Sequence, residues 1–196
     1  KAQLLTQKTL LDNLLAEVLR LGGVVLEIST YLSDHSVVLG LTVGTVSISD
    51  KSIVETALAD YALLSIDAKA GLISEKTLLD NLLAEINRLV QIIIDVTAFR
   101  VDYAEVLALT VMDVEISDRS SVEDALTAYN LLTADAKAEL ASEKALLDSL
   151  LIEITRQESV LAEIENFRID HATVLVLTIN SVGISDRGQV EAALAA

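Results

Sequence analysis

Apolar residues along this chain line up on helical faces. Leu10, Leu11, Leu14, Leu15, Val18 and Leu21 fall at the i, i+3, i+4, i+7 spacing of one face. The same pattern returns as Leu78, Leu79, Leu82, Leu83, Ile86, Leu89 and Ile93. It predicts a long first helix, Ser74 to Thr97 in that stretch, about 36 Å long at 1.5 Å per residue. Gly22-Gly23 occurs once and is expected to soften the helix that contains it.

A short second helix is expected to follow, with Asp34, Asp102 and Asp170 as its N-caps. Its apolar face is Val38, Leu39 and Leu41. An irregular or extended link comes next, TVGTVSI, anchored by Val46 and Ile48. Ser49-Asp50, Ser117-Asp118 and Ser185-Asp186 then start a third helix, where a hydroxyl or carboxylate satisfies free N–H groups and the acid suits the positive helix end. Ser52 with Glu55 and Ser120 with Glu123 fit a capping box, which Gly188 breaks in the last copy. The face of this helix is Val54, Leu58, Tyr61 and Leu64, and Ser65 or Thr133 caps the return to the next long helix.

These elements repeat. KAQLLTQKTLLDNLLAEV at Lys1 returns as KAGLISEKTLLDNLLAEI at Lys69 and as KAELASEKALLDSLLIEI at Lys137, a spacing of 68 each time. VSISDKSIVETAL, VEISDRSSVEDAL and VGISDRGQVEAAL are second landmarks in the same register. The expected fold class is all-α, a tandem repeat of 68-residue three-helix units forming an elongated bundle array or solenoid, with copies at 1–68, 69–136 and 137–196. The third copy lacks the eight positions that YNLLTADA, Tyr129 to Ala136, fills in the second. The expectation is a fragment of a longer array, or two incomplete ends that complement each other between molecules, so the expected partners are further copies of the repeat, head-to-tail.

Composition narrows the classes. Thirty acids against 14 Lys and Arg give a formal charge of -16, which repels phosphate backbones and anionic membranes. Nucleic acid is therefore not an expected partner. Hydrophobic residues at 52% supply a core, and with aromatics at only 3% that core must be aliphatic. No Pro and few Gly favour uninterrupted helices. Without Cys there is no disulfide, thiolate site or Cys nucleophile. The most apolar run, Leu89 to Val96, is broken by Gln91 and Asp95, so no membrane insertion is expected.

No phosphate-loop, dinucleotide, zincin or EF-hand pattern occurs. The two histidines, His35 and His171, share one repeat phase that Tyr103 fills in the middle copy, which argues for a structural role and against a metal ligand. Asp113, Glu115 and Asp118 suggest calcium, but the other copies keep only Asp50 and Asp186, so capping is the better account. Lys8, Asp12, Glu17 and Arg20 recur at helical spacing as surface pairs. No nucleophile, base and orienter combine, so no enzyme, cofactor or metal is expected.

The stretch ISDRSSVEDALTAYNLLTADAKAEL, followed by EKALLDSLLIEI, resembles the helical repeats of large Gram-positive bacterial surface proteins, adhesins or cell-wall-attached chains. Ile116, Asp118, Val122, Ala125, Tyr129, Leu132 and Lys137 carry the resemblance, and residues inserted around Leu89 to Asp102 depart from it. The resemblance implies an extracellular or cell-surface spacer, stalk or filament segment and transfers no active site. The competing readings are a repeat module that binds a protein or glycan, and an intracellular scaffold.

Overall fold

A computed structural model describes residues 1–196. It is all-helical: 82% of the residues are helical and there are no strands. The order is a long helix α1 (Ala2–Asp34), a one-turn helix α2 (Ser36–Leu39), α3 (Lys51–Leu63) and a short α4 (Ile66–Gly71). The series then recurs as α5 (Ile73–Asp102), α6 (Ala104–Leu107), α7 (Arg119–Leu131) and α8 (Ala134–Glu139). It begins once more with α9 (Ala141–Asp170), α10 (Ala172–Leu175) and α11 (Arg187–Ala195). A single 3-10 turn, Ile48–Asp50, Ile116–Asp118 or Ile184–Asp186, precedes α3, α7 and α11. α2, α6 and α10 begin at 36, 104 and 172, so the elements keep the 68-residue spacing of the sequence.

The chain divides into two compact units, Lys1–Ile94 and Asp95–Ala196. The second and third sequence copies start at Lys69 and Lys137, which lie inside α4 and α8. A repeat read in sequence can be started at any phase, whereas a packing unit ends where few contacts cross.

In the first unit the core is one aliphatic cluster: Val38, Val46, Val54, Ala57, Leu72, Leu79, Leu82 and Ile86, with Tyr31 among them. Leu79, Leu82 and Ile86 are the inner stripe of α5, and Val54 and Ala57 that of α3. Tyr31 is tolerated there because its hydroxyl donates to the Ala57 carbonyl at 3.0 Å. In the second unit the buried residues are Val96, Phe99, Val106, Val114, Val122, Ala125, Ala136, Leu140, Leu147, Leu150 and Ile154. All but Val96 stand 68 positions beyond a buried residue of the first unit. No polar or charged residue is buried in either.

The long helix is longer than the periodicity predicts. α5 runs from Ile73 to Asp102, past the expected end at Thr97. α1 passes through Gly22 and Gly23 without a break, so the pair does not interrupt the helix. The link after α2 is a turn and not a strand: the Val46 amide donates to the Thr42 carbonyl at 2.9 Å, and the same bond recurs at Val114 and Val182. A fourth, short helix per series, α4 or α8, adds to the three expected.

Candidate functional site: helix caps and two uncovered apolar faces

The acids expected to cap the second helix do not do so. Asp34 and Asp170 end α1 and α9, Asp102 ends α5, and the cap position of the short helix belongs to His35, Tyr103 or His171, none with a side-chain cap bond. The reason lies in the backbone. Only one residue separates the two helices, so amides at the junction find carbonyls just behind them, as His35 N–H does at Tyr31 O and Val174 N–H at His171 O, each 3.0 Å away. Few donors are left free for a carboxylate.

Asp50, Asp118 and Asp186 are caps of a different kind. Each reaches back three residues to accept the amide of Ser47, Glu115 or Gly183, at 2.8, 2.9 and 2.9 Å. This is the acid half of a capping box, and at Gly183 no side chain exists to supply the other half. The Ser47 amide, with its hydroxyl, holds the Asp50 carboxyl below its ordinary 3.8. Ser49, Ser117 and Ser185 sit inside the 3-10 turn; Ser49 shares a hydrogen bond with the Ser47 hydroxyl at 2.7 Å, and Ser117 lies 3.5 Å from Glu115. Ser52 is already inside α3 and its carbonyl accepts from Thr56, so the Ser52–Glu55 box does not form.

Ser65 and Thr133 cap the short helices α4 and α8, accepting from Ala68 and Ala136 at 3.3 Å. At the same corner the Tyr61 hydroxyl donates to the Lys69 carbonyl at 3.0 Å, and the Lys69 ammonium donates to the Ala62 carbonyl at 2.7 Å. Tyr129 and Lys137 repeat both bonds, to Lys137 O and Asn130 O. The tyrosine and lysine that carry the sequence resemblance are thus a corner brace.

The histidines occupy an aromatic position. His35 lies 4.6 Å from Tyr31 and His171 lies 4.7 Å from Phe167, ring to ring, and Tyr103 against Phe99 makes the third such pair at 5.0 Å. His35 Nε2 is also 3.2 Å from Asp60, in an open cleft of about 500 Å³ edged by Glu27, Tyr31 and Leu64. Burial first, and Asp60 second, push the Tyr31 phenol up to about 12, so it stays a neutral donor. The positions matching Asp60 are Ala128 and Ala196, so the His–Asp pair is private to one copy. No group of three or more His, Asp or Glu is placed to hold a metal ion, and the Asp113, Glu115 and Asp118 carboxylates are used in local bonds to Thr110, Ser117 and the Glu115 amide.

The recurring surface stripe consists largely of pairs within one helix, although Arg20 also pairs with Asp67 of α4. Arg20–Glu17, Arg88–Glu85 and Arg156–Glu153 meet at 2.6 Å, as do Lys76–Asp80 and Lys144–Asp148. Arg156, helped by Gln157, takes the Glu153 carboxyl down to about 2. Exposed pairs of this kind stabilise little.

Comparison with protein-family models, with curated proteins and with solved structures returns no match. No helix is long and apolar enough to cross a membrane.

What sets this surface apart is apolar. In the first half of α1, Leu4, Leu11, Leu14 and Val18 are all exposed, Leu4 at 73%. Near the other end Phe167 and Val182 are open, and Val174, Val190 and Ala193 are half-buried. Periodicity names Leu11, Leu14 and Val18 as a helix face, but nothing in the sequence says which copy of a face is covered.

The depressed carboxyls give a pH dependence. Asp50 and Glu153 ionise more readily in the folded chain than unfolded, and so does Glu27, which accepts the Ser65 amide at 3.0 Å. A lowered folded value means stability that is complete above the unfolded value and is lost as pH falls through the folded one. The thermal midpoint is expected to drop between about pH 4.5 and pH 2. Asp50→Asn keeps an acceptor for the Ser47 amide but cannot titrate, so its midpoint should fall less over the same window. Superimposable pH profiles for the two proteins would show that the Asp50 bond is not part of the acid response.

Proposed function

We propose that this chain is a non-enzymatic structural repeat, a spacer, stalk or filament segment of an extracellular bacterial surface protein. One observation carries the reading: what recurs every 68 residues is core, corner and short-range surface ion pairs such as Arg88–Glu85 and Arg156–Glu153. Val54, Ala57, Leu79 and Leu82 recur as Val122, Ala125, Leu147 and Leu150, all fully buried. The Tyr–Lys corner and the backward-reaching aspartate recur beside them. The polar features that would mark a ligand site, His35 with Asp60 above all, do not recur. Repeats maintained for length and stacking need their interfaces and caps, while their exposed faces are free to drift. The sequence resemblance to surface-protein repeats points the same way.

That private cleft favours one second reading, a protein- or glycan-binding module. Antibodies raised against the chain test the extracellular assignment when applied to intact, unpermeabilised source cells. Surface labelling supports the spacer, and labelling only after permeabilisation overturns the extracellular assignment. Saturable capture of one glycan or protein, lost on Asp60→Ala, favours the binding module instead.

A further inference from the structure

We propose that Gly22–Gly23 is a bending joint in the long helix α1, and that α4 is the clasp that holds it straight. The use of such a joint as an articulation rests on the structural-repeat reading; the joint and its clasp rest on side chains within the first unit.

At the phase of Gly22 the other two long helices are fastened sideways. Val90 of α5 packs against the core of the first unit. Glu158 of α9 reaches Arg119, the first residue of α7, at 2.6 Å. Glycine has no side chain to make either contact, whatever lies opposite it. Glycine is also the poorest helix former short of proline, and sharp helix bends collect at proline and at Gly or Ser pairs. α1 nevertheless runs unbroken across the pair.

α4 supplies the support that the pair lacks, gripping α1 on both sides of it. Downstream, Glu27 accepts the Ser65 amide at 3.0 Å. Gly71, at the end of α4, lies so close to Ile28 that a Cβ there would come within 2.7 Å of the Ile28 Cδ1. Upstream, Arg20 pairs with Asp67 in the first turn of α4. The downstream grip is thus a backbone bond with a packed contact. The upstream grip is an ion pair between two half-exposed side chains, a kind that stabilises little and that salt screens. One short helix therefore holds the two halves of α1 unequally, and the weaker grip can be released alone. Once it is released, the glycine pair is where α1 bends. α5 and α9 keep their sideways contact at this phase and have no such joint.

The test measures the distance from the start of α1 to α3 by pulsed dipolar electron paramagnetic resonance on the whole chain. Thr6→Cys and Thr56→Cys carry the spin labels; both positions are exposed, and the chain has no cysteine of its own. At low salt one narrow distance is expected. Asp67→Ala, or Arg20→Gln from the other side of the pair, should shift and broaden it, and so should about 1 M salt without either substitution. Adding Gly22→Ala and Gly23→Ala should abolish the broadening in every case. Circular dichroism should show the same helix content throughout, which separates bending from melting. A distribution that stays narrow when the ion pair is broken, broadening that persists with both alanines in place, or a loss of helix content that accompanies the broadening would each overturn the proposal. None of these outcomes changes surface labelling on cells, so the spacer reading stands or falls separately.

Discussion

Leu79→Ala is expected to destabilise the first unit by about 2–5 kcal/mol, the range for a large-to-small change in a packed core. The side chain is fully buried within the cluster that includes Val54, Ala57 and Leu82. Removing three carbons there costs their transfer energy and leaves a cavity that rigid helices close only in part. Leu11→Ala, the same residue one repeat earlier, should leave the stability of a dilute monomeric chain within about 0.5 kcal/mol, because Leu11 is 65% exposed and alanine is at least as good a helix former. Urea denaturation of both variants at micromolar concentration makes the comparison. Equal losses would mean that the α1 face is covered in the monomer.

The second large effect comes from filling space. Ala125 is fully buried in α7, the helix that packs on α9, and Ala57 holds the same place in the first unit. An alanine at this phase keeps the two helices close. Ala125→Leu must push them apart or force Leu147 and Leu150 out of their rotamers, a cost of about 1–3 kcal/mol. Ala138→Leu, on the exposed side of α8, adds the same carbons where there is room and should be close to neutral. If both leucine variants melt with wild type, α7 and α9 are not in contact at Ala125.

These pairs mark what the sequence disclosed. A periodicity of 3.6 sustained from Leu78 to Ile93 names a helix and an apolar face, and the all-helical class follows from it. The third helix is legible through Val54 and Leu58, but Ala57, as fully buried as Val54, is not, because alanine is as common on surfaces as in cores. The short helices α4 and α8 are six residues each, too brief for periodicity to show. Their caps, Ser65 and Thr133, are visible in the sequence, but they cap α4 and α8 and not the long helices that follow a few residues later. Asp34 misled for a clearer reason. An acid where an apolar pattern pauses resembles a helix start, and only the backbone shows that a single residue separates α1 from α2. Burial was the least legible property of all, since Leu4 and Leu72 differ in surroundings and not in kind.

Asp50, Asp118 and Asp186 bind an amide, and every amino acid but proline brings an amide. Their partner position can therefore be serine, glutamate or glycine, as it is here, with the same bond at 2.8 to 2.9 Å. The start of each third helix is encoded in one residue, not in a pair that must change together. Mutations at the partner site are invisible to the fold unless they introduce proline, the one substitution that removes the donor. A sequence can wander widely at such a position across many copies while every copy still begins its helix at the same place.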